Sequence, residues 1–262
     1  MFLYDNLSMS LKIKGYGWKP DLPDHRDHSY AAPVQVLTNL PRKIDLRPQC
    51  PSQVYSQGQL GSCTANAIAA AVEFDLLKQK RQDFMPSRLF IYYNERDIEG
   101  TVDEDSGAMI RDGVKSVARK GVCPETEWTY DTDRFTEKPP ENCYEDALKT
   151  RARSYARVAR TLNQFKGCLA SGYPFVFGFS VYESFESEEV AQSGIATIPT
   201  AQEKLLGGHA VLAVGYDDDQ NRFIVRNSWG DSWGMKGYFT MPYSYLLDEN
   251  LSDDFWTIRI VG

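Results

Sequence analysis

The stretch Gln57–Cys63, of sequence Q-G-Q-L-G-S-C, constrains this chain most, because it places a cysteine directly before a helix-forming run. Its two glycines predict a tight turn, since glycine accepts positive φ at no steric cost. Ser62 is a favourable N-cap residue, which makes Cys63 the first residue of a helix that continues over residues 64–80. A helix N-terminus carries partial positive charge, and this favours the nucleophilic thiolate. The pattern fits either a catalytic cysteine, with Gln57 and the Cys63 N–H stabilising an oxyanion, or a buried free cysteine at a helix start.

Two later segments favour catalysis. His209 lies in G-G-H-A-V at 207–211, and Asn227 begins N-S-W-G-D-S-W-G-M-K-G-Y at 227–238. A cysteine nucleophile needs a base, and the base needs a third group that orients its ring. The predicted catalytic residues are therefore Cys63, His209, Asn227 and Gln57.

Together these three motifs, in this order, resemble those of papain-family (C1) cysteine peptidases. The resemblance begins at L-P-R-K-I-D-L-R, residues 40–47, and L-G-S-C-T-A-N at 60–66 resembles bacterial and archaeal members, which favours a prokaryotic source. Thr64 stands where papain has an aromatic residue. The resemblance implies an α+β fold of two lobes: a helical lobe at about 48–150 and an antiparallel, barrel-like β lobe at about 151–262.

The resemblance also implies peptide-bond hydrolysis through a thioester on Cys63, with His209 as acid and base. Asn227 orients the imidazole, and Trp229 covers that hydrogen bond. Two other function classes stay open. A transglutaminase-like acyl transferase uses the same thioester but passes it to an amine. A non-catalytic peptide-binding module is the weakest alternative, because all four catalytic residue types are present.

For the substrate, the resemblance implies that an extended peptide pairs with the backbone at Ser106 and Gly107, where the family usually has two glycines. It places Asp253 at the pocket for the second residue before the cut, which favours a basic side chain. The apolar wall favours a bulky hydrophobic one instead, and a solvated, structural role for Asp253 stays open. The predicted substrate-binding residues are Ser106, Gly107, Ala108, Met109, Gly208, Trp229 and Asp253.

Residues 1–39 form an extension before the family domain, which is predicted over 40–262. The extension is too short and too rich in proline to resemble a helical propeptide, and residues 11–18 are predicted to hold one short strand. Two interpretations stay open: an autoinhibitory segment that blocks the cleft, or a permanent wrap. Tyr16 and Trp18 are costly to expose, so we expect the segment to pack near the cleft or on the β lobe.

Composition and net charge limit the classes of partner that this chain is expected to bind. The formal net charge of −7 argues against a nucleic-acid partner, and no apolar run is long enough to span a membrane. Residues 1–10 lack the features of a signal peptide, which leaves a cytoplasmic location or export by another route. The expected partner is a peptide or protein substrate, and no metal or cofactor is expected.

The remaining cysteines are Cys50, Cys123, Cys143 and Cys168, and their spacing does not resemble a zinc site. Secreted relatives usually bridge the position that Leu60 occupies here. We therefore expect mostly reduced thiols, with Cys123 and Cys143 the favoured pair if a disulfide forms.

Periodicity predicts further helices at 86–94, 106–120 and 161–171, and loops at 95–105 and 131–146. It predicts strands at 174–182, 209–216, 222–226, 237–241 and 255–261.

Overall fold

A computed structural model describes residues 15–261 of the chain, and the side chains up to residue 259. The predictions for residues 1–14 lie outside this range. No helix in the described part is long and apolar enough to cross a membrane.

The helices of the described chain concentrate in its first two thirds. They are α1 (Val34–Leu37), α2 (Cys63–Lys78), α3 (Arg88–Glu99), α4 (Ile110–Arg119), α5 (Glu141–Ala147), α6 (Leu162–Ala170), α7 (Glu188–Ser193) and α8 (Tyr243–Leu247). The central helix, α2, is buried on all sides over its first fourteen residues, as its alanine-rich sequence allows. It packs against α3 and α4 on one side and against the sheet on the other.

The strands are β1 (Trp18–Lys19), β2 (Ser29–Tyr30), β3 (Lys43–Asp45), β4 (Ala108–Met109), β5 (Ala152–Val158), β6 (Phe175–Tyr182), β7 (Leu205–Asp217), β8 (Arg222–Arg226), β9 (Tyr238–Pro242) and β10 (Ser252–Val261). Eight of them form one sheet in the order β2-β5-β10-β6-β7-β8-β9, with β3 paired to β7. All its pairings are antiparallel except β2 with β5. Only β1 and β4 stand apart, as a parallel pair.

The predicted α+β architecture is confirmed, and so are the main predicted strands. The predicted lobe boundaries remain predictions. Two predicted loops were wrong. The acidic run after residue 94 continues α3 to Glu99, because the Glu95 carboxyl and the Arg96 guanidinium both find buried partners. The segment 131–146 contains the start of α5, which begins directly after Pro140.

One predicted helix start also moves. The helix expected from residue 106 begins at Ile110, since Ala108 and Met109 instead pair with Trp18 and Lys19 of the extension. This pairing brings the N-terminal extension to the site described next.

Candidate active site

Cys63 is the first residue of α2, and its side chain is fully buried. Its backbone N–H is one of the first four N–H groups of the helix, which have no acceptor within the helix. The backbone N–H groups of Ala210 and Gly17 favour the charged form of this thiol and oppose the rise in its pKa that burial causes. Because Ala210 follows His209 in β7, the sulfur lies against the strand that carries the predicted catalytic histidine. Ser62 does not cap the helix as predicted, since its hydroxyl bonds to Tyr130 and to the Asn66 amide.

The imidazole of His209 has a fixed orientation. Its Nε2 donates to Asn227 Oδ1 at 2.8 Å, and the same oxygen accepts from the Ser228 N–H at 2.9 Å. The Trp229 ring stacks on the imidazole with centroids 5.0 Å apart. Within the described chain, His209 Nδ1 has no hydrogen-bond partner. Nδ1 is therefore the nitrogen free to exchange a proton with Cys63.

Gln57 joins the loop before Cys63 to the sheet. Its backbone N–H donates to the Ser228 carbonyl at 2.9 Å, and its Oε1 accepts from Ser228 Oγ at 2.8 Å. Its Nε2 donates to the Leu60 carbonyl at 3.0 Å, which leaves the second amide proton for another acceptor. The amide nitrogen thus faces the loop that leads to Cys63, where an oxyanion donor is needed.

The N-terminal extension runs directly over the nucleophile. The Gly17 carbonyl accepts from the Ala108 N–H at 2.7 Å, and Trp18 pairs with Ala108 in the β1–β4 register. A Cβ on Gly17 would lie 1.6 Å from the Gly61 carbonyl oxygen, and one on Gly107 would lie 2.2 Å from the Gly17 carbonyl oxygen. Only glycines allow these backbones to approach so closely, so the fit is specific to this segment.

Trp18 fills a pocket between β4 and the strands β6 and β7. A Cβ on Gly178 would lie 2.0 Å from Trp18 Cε2, and one on Gly208 would lie 2.8 Å from Cε3. At the end of the pocket, Trp18 Nε1 donates to Asp254 Oδ2 at 3.0 Å. The indole is 9% exposed, so the extension buries one of its largest apolar side chains at the site.

Tyr16 packs against the imidazole of His209. Its ring meets the His209 ring edge-on at 6.2 Å, and its hydroxyl donates to Glu186. The extension was expected to pack near the cleft or on the β lobe, and in its described part Tyr16 and Trp18 confirm this. What the sequence did not indicate is that the Tyr16 ring packs directly against the imidazole of His209.

Asp254, rather than Asp253, reaches the Trp18 pocket. The Asp254 backbone is left-handed, with φ of 61°, and its carboxylate accepts from Trp18, from the Asp21 N–H at 2.7 Å and from Arg157 at 2.7 Å. Asp253 has a 44% exposed side chain, pairs with Arg160 at 3.0 Å and lines a surface cavity. Because Asp254 is left-handed, its side chain enters the Trp18 pocket and the Asp253 side chain stays at the surface.

The other predicted substrate residues gather near the extension. Ser106 Oγ donates to the Gly107 carbonyl at 3.1 Å, and the Gly107 N–H donates to the Tyr92 hydroxyl at 3.2 Å. The Met109 N–H donates to Glu99 at 2.7 Å. Sequence reasoning missed Asp105, whose carboxylate accepts from the Gly61 N–H at 3.0 Å and holds the turn before Cys63. Its place in an acidic run gave no signal.

Burial sets the charge state of the catalytic pair in this structure. Burial raises the pKa of the Cys63 thiol to about 12, although hydrogen bonds from Ala210 and Gly17 oppose the shift. Burial lowers the pKa of His209 to about 4, opposed by the Asn227 hydrogen bond. Between these values a neutral thiol faces a neutral imidazole, which is the less reactive form of such a pair.

Comparison with known proteins agrees with this geometry. The papain family of cysteine proteases matches residues 40–248. The chain is 51% identical over 229 residues to a peptidase C1-like protein of Acanthamoeba polyphaga mimivirus, covering 84% of this chain and 73% of that one. It is 28% identical over 233 residues to chymopapain of Carica papaya, covering 83% of this chain and 58% of that one.

Among solved structures, xylellain, a cysteine protease from Xylella fastidiosa, superposes with a TM-score of 0.90 at 49% identity, over 96% of this chain and 98% of that one. The fold also matches procathepsin L 3 of Tenebrio molitor larval midgut, with a TM-score of 0.70 at 18% identity, over 94% and 76% of the two chains. The chain belongs to the papain family of cysteine proteases. It is a cysteine-type peptidase with a papain-like fold, and its expected substrates are peptides.

Proposed function

We propose that Cys63, His209, Asn227 and Gln57 are the catalytic residues, and that residues 16–18 hold the enzyme latent. The observation that carries this proposal is the complete burial of Cys63 and His209 beneath a segment of the same chain. A substrate cannot reach the sulfur while Gly17 lies on it. The segment must therefore leave the cleft, or be removed, before hydrolysis begins.

Catalysis in the opened enzyme starts with proton transfer from Cys63 to His209 Nδ1. The thiolate attacks the substrate carbonyl carbon, and the Cys63 N–H and the Gln57 amide stabilise the oxyanion. The imidazolium gives its proton to the leaving amine, and a thioester remains on Cys63. His209 then removes a proton from water, which attacks the thioester, releases the acid and restores the thiol.

The hydrogen bond made by the Gly17 carbonyl helps to protect the extension from cleavage by Cys63. The Gly17 carbonyl oxygen accepts from the Ala108 N–H at 2.7 Å, within the β1–β4 pair. This oxygen is therefore engaged by Ala108 and not by the proposed oxyanion donors, the Cys63 N–H and the Gln57 amide, which would activate the carbonyl for attack. The segment therefore occupies the cleft without being a substrate in that position.

The loss of the Gln57 amide is expected to slow turnover by about 10²-fold, the usual effect of removing one oxyanion donor. The comparison uses Gln57→Ala and Ser228→Ala, both in a Trp18→Ala background that opens the cleft. Ser228→Ala removes the contact to Gln57 Oε1 but keeps the donor, so it reports any purely structural effect. The kcat on a peptide substrate is the measurement, and equal losses in the two variants would assign Gln57 a structural role only.

Opening the cleft is expected to change the pH dependence of Cys63 alkylation. In the closed chain, burial raises the pKa of the thiol to about 12 and lowers that of His209 to about 4, so alkylation stays slow at neutral pH. When the cleft opens, water reaches both groups, and the thiolate of Cys63 and the imidazolium of His209 attract each other. The pKa of the thiol then falls and the pKa of the imidazole rises. The rate of iodoacetamide labelling against pH measures this: the Trp18→Ala chain should react well below pH 7, and the intact chain should not.

The pocket that Trp18 occupies supports a proposal for substrate preference. Gly208 and Ala108 form its walls, and Asp254 lies at its end. A bulky apolar side chain fits this space, and an arginine gains a charge-assisted hydrogen bond to Asp254. Asp254→Asn should lower the arginine-to-leucine preference about tenfold, the effect of one such bond. Asp253→Asn is the matched control, and an equal change in both variants would exclude the Asp254 assignment.

The peptidase and acyl-transferase alternatives separate in one experiment. The Trp18→Ala chain is incubated with a peptide ester and increasing concentrations of an amine, and the acid and amide products are quantified. A peptidase gives mainly the acid, because water reaches the thioester. Amide as the main product at millimolar amine would instead support the acyl transferase.

A further inference from the structure

Cys123 and Cys143 lie together, and neither is among the proposed catalytic residues. Their sulfurs and a Glu127 carboxylate oxygen all lie within 4.8 Å of one another. The Cys143 thiol donates to the Glu127 carbonyl at 3.8 Å. Both side chains are fully buried, and both cysteines are free thiols in this structure.

We propose that Cys123 and Cys143 are a dithiol site that a low-molecular-weight disulfide oxidises to an intramolecular disulfide, while Cys63 stays free as the nucleophile. This proposal is independent of the catalytic assignment. It extends the sequence-based preference for this pair to a defined site with a defined chemistry.

The backbone already holds the two cysteines in place. The Val122 N–H donates to the Thr150 carbonyl at 3.0 Å, directly before Cys123. A Cβ on Gly121 would lie 1.8 Å from the Ala147 carbonyl oxygen, so this turn is pressed against the end of α5, the helix that carries Cys143. Disulfide formation therefore requires mainly side-chain rotation and a small approach of the sulfurs, rather than movement of whole elements.

The chemistry balances with one equivalent of disulfide. The Cys143 thiol loses its proton to the solvent and becomes the attacking thiolate. It attacks the external disulfide to form a mixed disulfide and releases one thiol. Cys123 then loses its proton and attacks Cys143 Sγ, which releases the second thiol. Two protein S–H groups become one S–S bond, and the external disulfide is reduced to two thiols.

Burial decides when this reaction occurs. Burial raises the pKa of both thiols, so the folded chain reacts slowly and a chain that is folding reacts faster. The product carries no charge, which suits a buried site better than a thiolate or a metal-bound pair of thiolates. This favours a disulfide over a metal at the same position.

The bond would secure a segment that supports the catalytic loop. The Cys123 carbonyl accepts from the Ser87 N–H at 2.9 Å at the start of α3. Further along the same segment, Glu125 binds Arg88, and the Tyr130 hydroxyl donates to the Gln57 carbonyl at 3.0 Å. A crosslink at residues 123 and 143 therefore stabilises contacts that reach Gln57, and it suits the protein to an oxidising environment.

The test uses the full chain with Cys63→Ala, so that the nucleophile forms no mixed disulfides. One sample is refolded in oxidised glutathione and one in reduced glutathione, and a third is oxidised without unfolding. The expected result is a crosslinked peptide pair containing residues 123 and 143, lighter by two hydrogens, and a melting temperature raised by roughly 5–10 °C, as a bond closing a loop of this size implies.

Cys143→Ala should lose both the crosslink and the shift, while Cys168→Ala, which removes another buried thiol, should keep them. Alkylation of both thiols after refolding in oxidised glutathione would overturn the proposal. So would a different cysteine pair in the crosslinked peptides. Stabilisation of the reduced chain by zinc, without loss of hydrogens, would assign the site to a metal instead.

Discussion

Peptide hydrolysis is expected to disappear in the Cys63→Ala variant, with a loss of about 10⁴-fold or more, because no other group takes over the covalent step. The fold should survive, since alanine is smaller than cysteine and suits the first turn of α2. The measurement is kcat in the Trp18→Ala background, together with circular dichroism and the melting temperature.

Cys168→Ala is the matched control for this variant. Cys168 is equally buried, but its thiol donates to the Tyr173 carbonyl and lies outside the site. Its replacement should leave kcat within about twofold, as expected for a change remote from the chemistry. Appreciable turnover by a folded Cys63→Ala protein would contradict the assignment of the nucleophile.

Trp18→Ala is expected to raise the activity of the intact chain by at least about tenfold. The substitution removes a buried indole and its bond to Asp254, and replacing a buried tryptophan usually costs about 3–5 kcal/mol. If the segment makes no contacts after it leaves the cleft, the substitution destabilises only the closed state and so favours the open one. The measurement is the initial rate on a peptide substrate at neutral pH.

Leu22→Ala provides the control within the same extension, since that side chain is 67% exposed and makes little apolar contact. It should leave the rate unchanged. The wrap interpretation makes the opposite prediction for Trp18→Ala: a lower melting temperature with unchanged activity per folded molecule. The two interpretations of residues 1–39 therefore differ in one assay.

The sequence was most informative where chemistry requires particular residue types. The cysteine at a helix start, the histidine before an apolar strand and the asparagine with its tryptophan all point to one reaction. The α+β fold and the main strands followed from apolar periodicity. These features are local in sequence, so they can be recognised without knowing how the chain returns on itself.

The rest depends on long-range contacts. Asp105 lies 44 residues after Gly61 and accepts a hydrogen bond from its N–H, which holds the turn before Cys63. Because Asp103 and Glu104 come directly before it, the sequence gives no reason to single out Asp105. Asp254 turns into the Trp18 pocket because its backbone is left-handed, and a run of two aspartates does not indicate which one does so. Buried partners likewise extend α3 through residues that look like an exposed acidic loop. The residues next to these positions in the sequence do not predict such contacts.

The rate at which an epoxide inhibitor of papain-like enzymes labels Cys63 tests the central claim most directly. The claim is that this papain-family peptidase uses Cys63 as its nucleophile and keeps it covered by Gly17 and Trp18. Mass spectrometry of the labelled peptide identifies the residue, and a time course gives the rate for the intact and Trp18→Ala chains. We predict stoichiometric labelling of Cys63 alone, at least about tenfold faster in Trp18→Ala, in line with the loss of a buried anchor. Equal rates in the two chains, or a label on another cysteine, would contradict it.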